Sequence, residues 1–276
     1  MQIPAIPRSR FALASALATV LAAPLLAAGP AASATLVAEP DQYAALGDSY
    51  SAGNGAYSTN LDFFCGRNTY AYPYLVAQQR PDTELTFVAC QGATTDDIVG
   101  GQDRSLGADT DYVSLTIGGN DIGFADLILA CTGSYSPGCE AQADEANAAI
   151  ANELPAKLDR AYAAVTAGAP NAVDVVVLGY GRFFGRDLSC PAADGVSADE
   201  ATELNGVADN LDAVVRDRAT AAGFSYKSSV KSFTGHDICA ADPYLNGKSW
   251  STTDMYHPTR SGYANGLAPA VRAVIG

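Results

Sequence analysis

Five short apolar runs after residue 40 give the first indication of the architecture. They cover residues 43–46, 85–89, 112–117, 173–178 and 224–227. The third and fourth runs, YVSLTI and VDVVVL, are rich in β-branched residues, and a glycine follows each of them. Continuous apolar runs of this length are typical of strands that are buried on both faces, as in a parallel sheet. We therefore predict a parallel sheet of about five strands.

Alanine-rich segments with helical spacing separate the last three runs. Residues 140–167 form one segment, which Pro155 interrupts, and residues 198–222 form another. The second segment carries an apolar stripe of Leu204, Val207, Leu211, Val214 and Val215. A last helix is predicted from about residue 261 to residue 275. Strands that alternate with helices imply right-handed βαβ units, so we expect one α/β domain built as a three-layer α/β/α sandwich.

The first 34 residues differ in composition from the rest of the chain. Arg8 and Arg10 precede a run of Ala, Leu and Val over residues 11–28, and an Ala-Ser-Ala sequence with signal-peptidase spacing follows. We interpret residues 1–34 as a secretory signal peptide that is cleaved before Thr35, which predicts a secreted, extracellular protein.

An anchoring helix is the alternative for this leader. It is the weaker interpretation, because the run is mostly alanine, contains Pro24 and has no charged stop on its far side. No later segment is apolar enough to span a bilayer, so stable membrane insertion is not expected.

The charge of the chain narrows the possible partners. Cleavage would remove two arginines and no acidic residue, so the formal net charge would go from −14 to −16. A nucleic-acid backbone needs clustered Lys and Arg, so no nucleic-acid partner is expected for this acidic chain. A solvated acidic surface that keeps an exported protein soluble is sufficient to explain the negative charge.

All six cysteines lie after the predicted leader: Cys65, Cys90, Cys131, Cys139, Cys190 and Cys239. An even number of cysteines in an exported chain predicts three disulfides, although the residues alone do not choose among the possible pairings. No C-x-x-C occurs, and only His236 lies near a cysteine, so a structural zinc site is not expected.

Small and polar residues follow the predicted strands, where the site of an open α/β sheet lies. Asp48 and Ser49 follow the first strand, Gly92 follows the second, and Asn120 stands in a GGND turn after the third. His257 lies in the long segment after the fifth strand. These residues are therefore predicted to converge at the carboxyl edge of the sheet.

A serine hydroxyl becomes a strong nucleophile only when a base takes its proton, and histidine is the usual base. The chain offers two histidines. His257 has Asp254 three residues before it, close enough in a turn for the carboxylate to reach Nδ1. His236 is followed directly by Asp237, which is badly placed to orient it, so His236 is interpreted as a loop residue packed near a disulfide.

Acyl transfer also needs hydrogen-bond donors for the oxyanion of the tetrahedral intermediate. The N–H of Ser49, the N–H of Gly92 and the side-chain amide of Asn120 could supply them. Each of these residues alone could be an ordinary turn residue. Their order along the chain, each at the end of a strand, favours the catalytic interpretation.

The motifs GDSYSAG, CQGATT, GGND and DMYHP resemble the four characteristic sequence blocks of the GDSL, or SGNH, hydrolase family. They occur in the family's order and span residues 47–258. In this chain Tyr50 occupies the last place of the family motif Gly-Asp-Ser-Leu. No catalytic role is expected at that position. The pattern of six cysteines resembles most closely the exported bacterial lipases and esterases of this family.

The resemblance implies a flavodoxin-like sheet and a serine esterase or lipase domain over residues 35–276. It implies that Ser49 is the nucleophile, His257 the base and Asp254 the third member of the triad. The oxyanion hole would consist of Ser49, Gly92 and Asn120. The implied disulfides are Cys65–Cys90, Cys131–Cys139 and Cys190–Cys239. Asp48 and Asp121 are interpreted as structural residues that hydrogen-bond backbone N–H groups.

The expected substrate is a carboxylic ester with a medium or long acyl chain, hydrolysed by a monomer without a cofactor or metal. Aromatic residues flank the predicted site and could form an acyl groove, or could equally form small cores within the loops. These residues are Tyr57, Phe63, Phe64, Tyr70, Tyr72, Tyr74, Tyr180, Phe183, Phe184, Tyr244 and Trp250, with Leu245 beside them.

Several other functions remain open at this point. A carbohydrate O-deacetylase or a phospholipase A-type acyl hydrolase would use the same groups. A binding module on an inactive hydrolase fold is disfavoured, because Ser49, Asn120, Asp254 and His257 are all intact. A metal phosphoesterase would need more histidines than two. An α/β-hydrolase is disfavoured because no G-x-S-x-G occurs.

Overall fold

The computed structural model describes residues 39–133 and 138–276, and a parallel sheet of five strands forms its centre. The strands are β1 (Asp41–Gly47), β2 (Thr83–Phe87), β3 (Tyr112–Thr116), β4 (Asp174–Leu178) and β5 (Ser225–Lys227). They lie in the order β2-β1-β3-β4-β5, and every neighbouring pair is parallel. This is the flavodoxin-like order, so the predicted fold class is confirmed. The predicted signal peptide lies outside the described residues.

The strand order reverses between β1 and β3, because the chain leaves β1 toward β2 and later returns to β3 on the other side of β1. Such a reversal opens a crevice at the carboxyl ends of the two strands. Gly47, the last residue of β1, pairs with Thr116 at the end of β3. It has φ of +115°, and a Cβ there would lie 2.3 Å from the Thr116 carbonyl oxygen. Only glycine therefore fits at this edge of the crevice.

The second strand is the one whose predicted bounds differ most from the structure. It covers Thr83–Phe87 rather than 85–89, and its side chains alternate between half-buried and exposed, as expected for an edge strand. The N–H groups of Val88 and Ala89 both donate to the carbonyl of Ala45, which ends the regular ladder. The apolar run therefore continues past the strand into the loop that carries Gly92.

Helices cover both faces of the sheet. In the described residues they are α1 (Ser49–Ala52), α2 (Tyr72–Gln78), α3 (Thr95–Ile98), α4 (Phe124–Thr132), α5 (Cys139–Asn152), α6 (Leu154–Gly168), α7 (Ala198–Ala221), α8 (Ser229–Ser232) and α9 (Ala268–Ile275). Helix α2 packs with α9, whereas α4, α5, α6 and α7 pack with one another. The result is the three-layer arrangement that the sequence predicts.

The long helical predictions are confirmed, with informative breaks. The segment around Pro155 divides into α5 and α6 at Glu153, and the proline occupies the first turn of α6, where its missing N–H does no harm. The helix predicted at 261–275 begins as a π-helical stretch, Gly262–Leu267, and continues as α9. Helix α4 has no counterpart among the predicted helices, although FADLILA is an apolar run two residues after the GGND turn.

Three disulfides join the six cysteines in the pairs that the resemblance implies: Cys65–Cys90, Cys131–Cys139 and Cys190–Cys239. The first bridge lies two residues before Gly92. The N–H of Gln91 also donates to the Cys65 carbonyl at 3.0 Å, so this bridge and a hydrogen bond together hold the loop after β2.

Candidate active site

Ser49 lies two residues after the last residue of β1 and begins the short helix α1. Asp48 caps that helix, because its Oδ1 accepts a hydrogen bond from the N–H of Tyr50 at 3.0 Å. The same oxygen accepts from the Thr116 hydroxyl at 2.6 Å, which ties the cap to the end of β3. The hydroxyl of Tyr180 donates to the other oxygen of Asp48. The predicted structural role of Asp48 agrees with these contacts.

Asp48 is buried, and burial raises the pKa of its carboxyl group to about 6. Hydrogen bonds from Thr116, Tyr180 and the Tyr50 N–H oppose this shift, because they stabilise the charged form. The group beside the predicted nucleophile therefore titrates close to the range in which a histidine titrates.

His257 reaches Ser49 across a sequence separation of 208 residues, with Nε2 of the imidazole 2.8 Å from Oγ of the serine. The other ring nitrogen, Nδ1, lies 2.9 Å from the backbone carbonyl oxygen of Met255. A carbonyl can only accept, so Nδ1 must carry the proton and Nε2 must present its lone pair to the serine hydroxyl. This is the tautomer that a general base requires.

Burial lowers the pKa of His257 below the usual histidine value, whereas the Met255 carbonyl and the charge of Asp254 act in the opposite direction. The imidazole is therefore neutral at pH 7 and able to accept a proton.

The prediction that the Asp254 carboxylate holds Nδ1 of His257 is wrong. Oδ1 of Asp254 accepts hydrogen bonds from the N–H of Gly55 at 2.8 Å and of Tyr57 at 3.3 Å. Its Oδ2 accepts from the hydroxyl of Ser251. Oδ1 thus joins the segment after Ser49 to the loop that carries His257, whereas Oδ2 is bound within that loop. The carbonyl of Met255 takes the place at the ring.

The backbone between Asp254 and His257 explains why the Met255 carbonyl, rather than the Asp254 carboxylate, lies at Nδ1. Tyr256 stands between Met255 and His257 and has φ of +58°, the left-handed region that side-chain-bearing residues rarely adopt. A left-handed residue turns the chain back on itself, which lets a carbonyl face a ring two residues later. Sequence spacing shows that Asp254 is near His257, but it does not show this turn.

The three residues predicted to supply the oxyanion donors, Ser49, Gly92 and Asn120, line one cavity together with His257. Among the described residues, neither the N–H of Ser49 nor that of Gly92 donates to a backbone carbonyl. Gly92 has φ of +80° and no atom within 4 Å of the position of a Cβ, so the backbone conformation, rather than crowding, requires glycine. One hydrogen of the Asn120 amide is used by the Ala93 carbonyl at 2.8 Å, which leaves the other for a ligand.

Two further predicted residues have structural contacts. Asp121 accepts hydrogen bonds from the N–H of Thr95 at 3.0 Å and from its hydroxyl at 2.7 Å, and so fixes the start of α3 beside the oxyanion loop. His236 lies outside the cavity, where its ring stacks on Tyr244 with 3.7 Å between ring centroids. It belongs to the loop that contains Cys239, as expected.

The cavity at Ser49 has a volume of about 440 Å³ and is mostly apolar. Its apolar wall comes from α4 through Phe124, Ala125, Ile128 and Leu129. Of the aromatic residues predicted to form a groove, only Tyr180 lines this cavity.

The other predicted aromatic residues have different positions. Tyr72, Phe183, Phe184, Tyr244 and Leu245 are buried in the core, and Tyr70 packs against it. Phe63, Phe64 and Trp250 are 74%, 85% and 89% exposed. Phe63 and Phe64 line a second cavity of about 270 Å³ that shares Asn54, Gln91 and Thr253 with the first. Of the two interpretations that the sequence leaves open, packing in a core describes most of these side chains, and α4 supplies the wall of the cavity.

The described residues contain no cluster of His, Cys, Asp and Glu side chains that could hold a metal ion. Within the same residues, no helix combines the length and the apolar character that crossing a bilayer requires.

Comparison with known proteins agrees with this geometry. Residues 45–264 match the sequence profile of the GDSL-like Lipase/Acylhydrolase family. A lipase from Streptomyces rimosus is 40% identical over 265 residues, which cover 96% of this chain and 97% of that protein. Lipase 1 of Streptomyces coelicolor is also 40% identical, over 95% of each chain.

Among solved structures, the phospholipase A1 of Streptomyces albidoflavus NA297 superposes with a TM-score of 0.79 and 41% identity. The match covers 85% of this chain and 99% of that one. An acetylxylan esterase from Geobacillus stearothermophilus, at 18% identity and a TM-score of 0.52, shares the fold alone. The chain therefore belongs to the GDSL-like lipase/acylhydrolase family of carboxylic ester hydrolases.

Proposed function

We propose that this protein is a secreted lipase or esterase in which Ser49 attacks the ester carbonyl and His257 is the general base. The observation that carries the proposal is the 2.8 Å contact between Nε2 of His257 and Oγ of Ser49. It is supported by the opposite ring nitrogen, which has a carbonyl acceptor at 2.9 Å and so keeps its proton.

The reaction follows from these positions. Nε2 takes the hydroxyl proton as Oγ of Ser49 bonds to the carbonyl carbon, and the carbonyl oxygen becomes an oxyanion. The N–H groups of Ser49 and Gly92 and the amide of Asn120 donate to that oxyanion. His257 then gives its proton to the departing alcohol, which leaves an acyl ester on Ser49. A water molecule, deprotonated by the same ring, releases the acid and restores the serine.

The Met255 carbonyl supports both steps. While His257 carries two protons, the carbonyl accepts the Nδ1–H and stabilises the imidazolium. This carbonyl carries no full charge, so the stabilisation is smaller than a carboxylate would give. Asp254 contributes through its charge and through the loop that it fixes rather than through contact with the ring.

Labelling with a fluorophosphonate tests the nucleophile. The reagent should attach to Ser49 at a 1:1 ratio, and mass spectrometry of the peptide that contains GDSYSAG should locate it. The His257→Gln variant is the matched control and should react far more slowly, because its serine lacks a base. Attachment to a different serine, or equal rates in both proteins, would show that the nucleophile is wrongly assigned.

The acyl chain is proposed to lie against α4. Leu129 is the informative position, because it lines the cavity and is 47% exposed, so a larger side chain there should not disturb the core. Leu129→Trp should lower hydrolysis of long-chain nitrophenyl esters relative to the acetate by about tenfold, since one lost methylene contact costs a few-fold and several are lost. Val99→Trp, at a residue that is 43% exposed and not part of the cavity, is the control. Wild-type activity confined to the acetate would favour a carbohydrate deacetylase instead.

A phospholipid is the second candidate substrate, because the Streptomyces albidoflavus relative at 41% identity is a phospholipase A1. Phosphatidylcholine with different acyl chains at its two positions separates the possibilities. Release of the chain at the first position would assign this protein the same regioselectivity, and failure to release either chain would restrict it to simpler esters.

The proposal includes export and a monomeric state. Disulfides and extracellular relatives support export, with a signal peptide at residues 1–34 and a catalytic domain at 35–276. Amino-terminal sequencing of protein recovered from the medium should begin at Thr35, and a chain that retains its leader would contradict the cleavage. All proposed catalytic groups come from one chain, so a monomer is sufficient for the proposed activity, and light scattering tests the proposed monomeric state.

A further inference from the structure

Tyr50 follows the proposed nucleophile directly, in the place where the family motif has leucine. It is almost completely buried, with 2% of its surface exposed. Its hydroxyl donates a hydrogen bond of 2.8 Å to the backbone carbonyl of Tyr256, across a separation of 206 residues. A leucine has no donor and could not make this bond.

The carbonyl that Tyr50 binds belongs to the peptide unit between Tyr256 and His257. That unit includes the N–H of His257, so its orientation sets the direction of the Cα–Cβ bond that carries the imidazole. The left-handed conformation of Tyr256 is intrinsically unfavourable and persists only where surrounding contacts hold it. This conformation brings the Met255 carbonyl to Nδ1, so whatever stabilises it also stabilises the ring's orientation.

The ring of Tyr50 adds contacts on the same side. Its centroid lies 5.3 Å from that of the His257 imidazole and 5.0 Å from that of Tyr180. Tyr180 in turn donates to Asp48 and accepts from the N–H of Gly119 at 3.1 Å. One buried side chain thus connects the nucleophile's helix to the left-handed turn before the base.

We propose that Tyr50 is a positioning residue that holds the Met255–His257 turn, and with it the productive orientation of His257. Its hydroxyl acts through the backbone of Tyr256 and touches no reacting atom. The inference rests on the proposed function, in which His257 is the base.

Tyr50→Phe removes the donor and keeps the ring. Tyr43→Phe is the matched control, because Tyr43 is equally buried, its hydroxyl pairs with that of Ser114 at 2.6 Å, and it stands at the opposite end of β1. Both variants should lose similar thermal stability. Only Tyr50→Phe should lower kcat, by about tenfold, which corresponds to the loss of one typical hydrogen bond. KM should stay within about twofold, because the acyl wall on α4 is untouched.

A pH profile provides a readout that a purely structural role would not move. The bond from Nδ1 to the Met255 carbonyl raises the pKa of His257, so loosening it lets the pKa fall. The acidic limb of kcat/KM should therefore shift to lower pH in Tyr50→Phe and stay in place in Tyr43→Phe. Rates are divided by the number of sites titrated with a fluorophosphonate, so that misfolded protein does not contribute.

The outcomes separate this inference from the proposed function. An active wild-type enzyme with equal kcat and equal acidic limbs in the two variants would overturn the positioning role alone. A wild-type protein that neither hydrolyses esters nor reacts at Ser49 would overturn the proposed function, and the positioning role with it.

Discussion

The two halves of the candidate site are built in different ways. Ser49, Gly92 and Asn120 follow the ends of β1, β2 and β3, so the ladder of the sheet places their backbone. His257 lies in residues 233–259, which contain no helix and no extended strand. We call these two parts the strand-end half and the histidine loop. The ladder hydrogen bonds of the sheet position the first, whereas the second lies outside the sheet and is held by turns and by contacts between side chains and backbone.

Several of the contacts that hold the histidine loop come from one short segment directly after the proposed nucleophile. Besides Tyr50, this segment supplies Asn54, whose amide donates to the Thr253 carbonyl at 3.2 Å. The N–H of Gly55 binds the Asp254 carboxylate at 2.8 Å, and its carbonyl accepts from the Asn246 amide at 2.9 Å. The residues after Ser49 therefore help to hold the loop that carries His257. This explains why small and turn-forming residues follow Ser49: the loop has to approach their backbone closely.

The largest expected effect comes from removing the hydroxyl of Ser49, which leaves the backbone of both halves unchanged. Ser49→Ala should lower kcat/KM by at least about 10³-fold, because no other group can form the acyl intermediate. The unfolding midpoint should change little, since the lost hydroxyl contacts only His257. Turnover numbers and circular-dichroism melts of the two proteins provide the check. A variant that retained activity would refute the assignment of the nucleophile.

The second prediction weakens the strand-end half. Replacing both Cys65 and Cys90 by serine opens a loop with a sequence separation of 25, which should lower the unfolding free energy by about 3.5 kcal/mol in the chain-entropy estimate. The rate per titrated site at 25 °C, expressed as an activation free energy, should change less than the unfolding free energy does. The reason is that β1 and β3 still place Ser49 and Asn120.

Replacing Cys131 and Cys139 together is the matched control. Their separation is only 8, so the expected loss is smaller, about 2.5 kcal/mol. Urea unfolding measures both values. Equal stability of the wild type and of both double variants would contradict a structural role for the bridges.

The comparison also shows what a sequence alone can predict. The strand-end half can be predicted from the sequence, because a buried strand has a local signature, which is an apolar run bounded by glycine. Parallel strands must also end at one edge of the sheet. That rule, together with the chemistry of histidine, selects Ser49, Gly92, Asn120 and His257 as the candidate residues. The contact between Nδ1 of His257 and the Met255 carbonyl does not follow from the sequence, because it depends on one left-handed φ angle at Tyr256.

The apolar wall that α4 gives the cavity is hard to predict for a different reason. Helix α4 is a short apolar segment, and periodicity alone does not tell whether such a segment lines a cavity or fills a core. The flanking aromatic residues were the more conspicuous pattern, yet several of them, such as Tyr72 and Phe183, pack in the core. Composition near a site thus indicates apolar surroundings without indicating which element faces the substrate.

The third prediction concerns the histidine loop. Asp254→Asn should lower kcat by no more than about tenfold, because its carbonyl oxygen can still accept from Gly55 and its new amide can face Ser251. A carboxylate that held the ring through Nδ1 would behave differently, since its replacement by an amide favours the wrong tautomer and costs about 10⁴-fold. Steady-state kinetics distinguish the two cases by about three orders of magnitude. The larger loss would show that Asp254 moves to Nδ1 during the reaction.

The smallest expected effect concerns the pH dependence of the rate, to which one titrating group in each half could contribute. Asp48 in the strand-end half has its pKa raised to about 6, and His257 in the loop has its pKa lowered below its usual value of about 6.5. The pH ranges in which the two groups titrate therefore overlap, and either group could produce an acidic limb in kcat/KM.

In the proposed mechanism only protonation of His257 removes the base, so the midpoint of this limb should lie below pH 6.5 and should not depend on the pKa of Asp48. Asp48→Asn should lower the absolute rate but move the midpoint by less than about half a pH unit, because Asp48 is not among the groups that shift the pKa of His257. Rate profiles between pH 4 and 8, each normalised to its own plateau, provide the measurement. A limb that disappeared in Asp48→Asn would assign the titration to the strand-end half, and the functional division between the two halves would then fail.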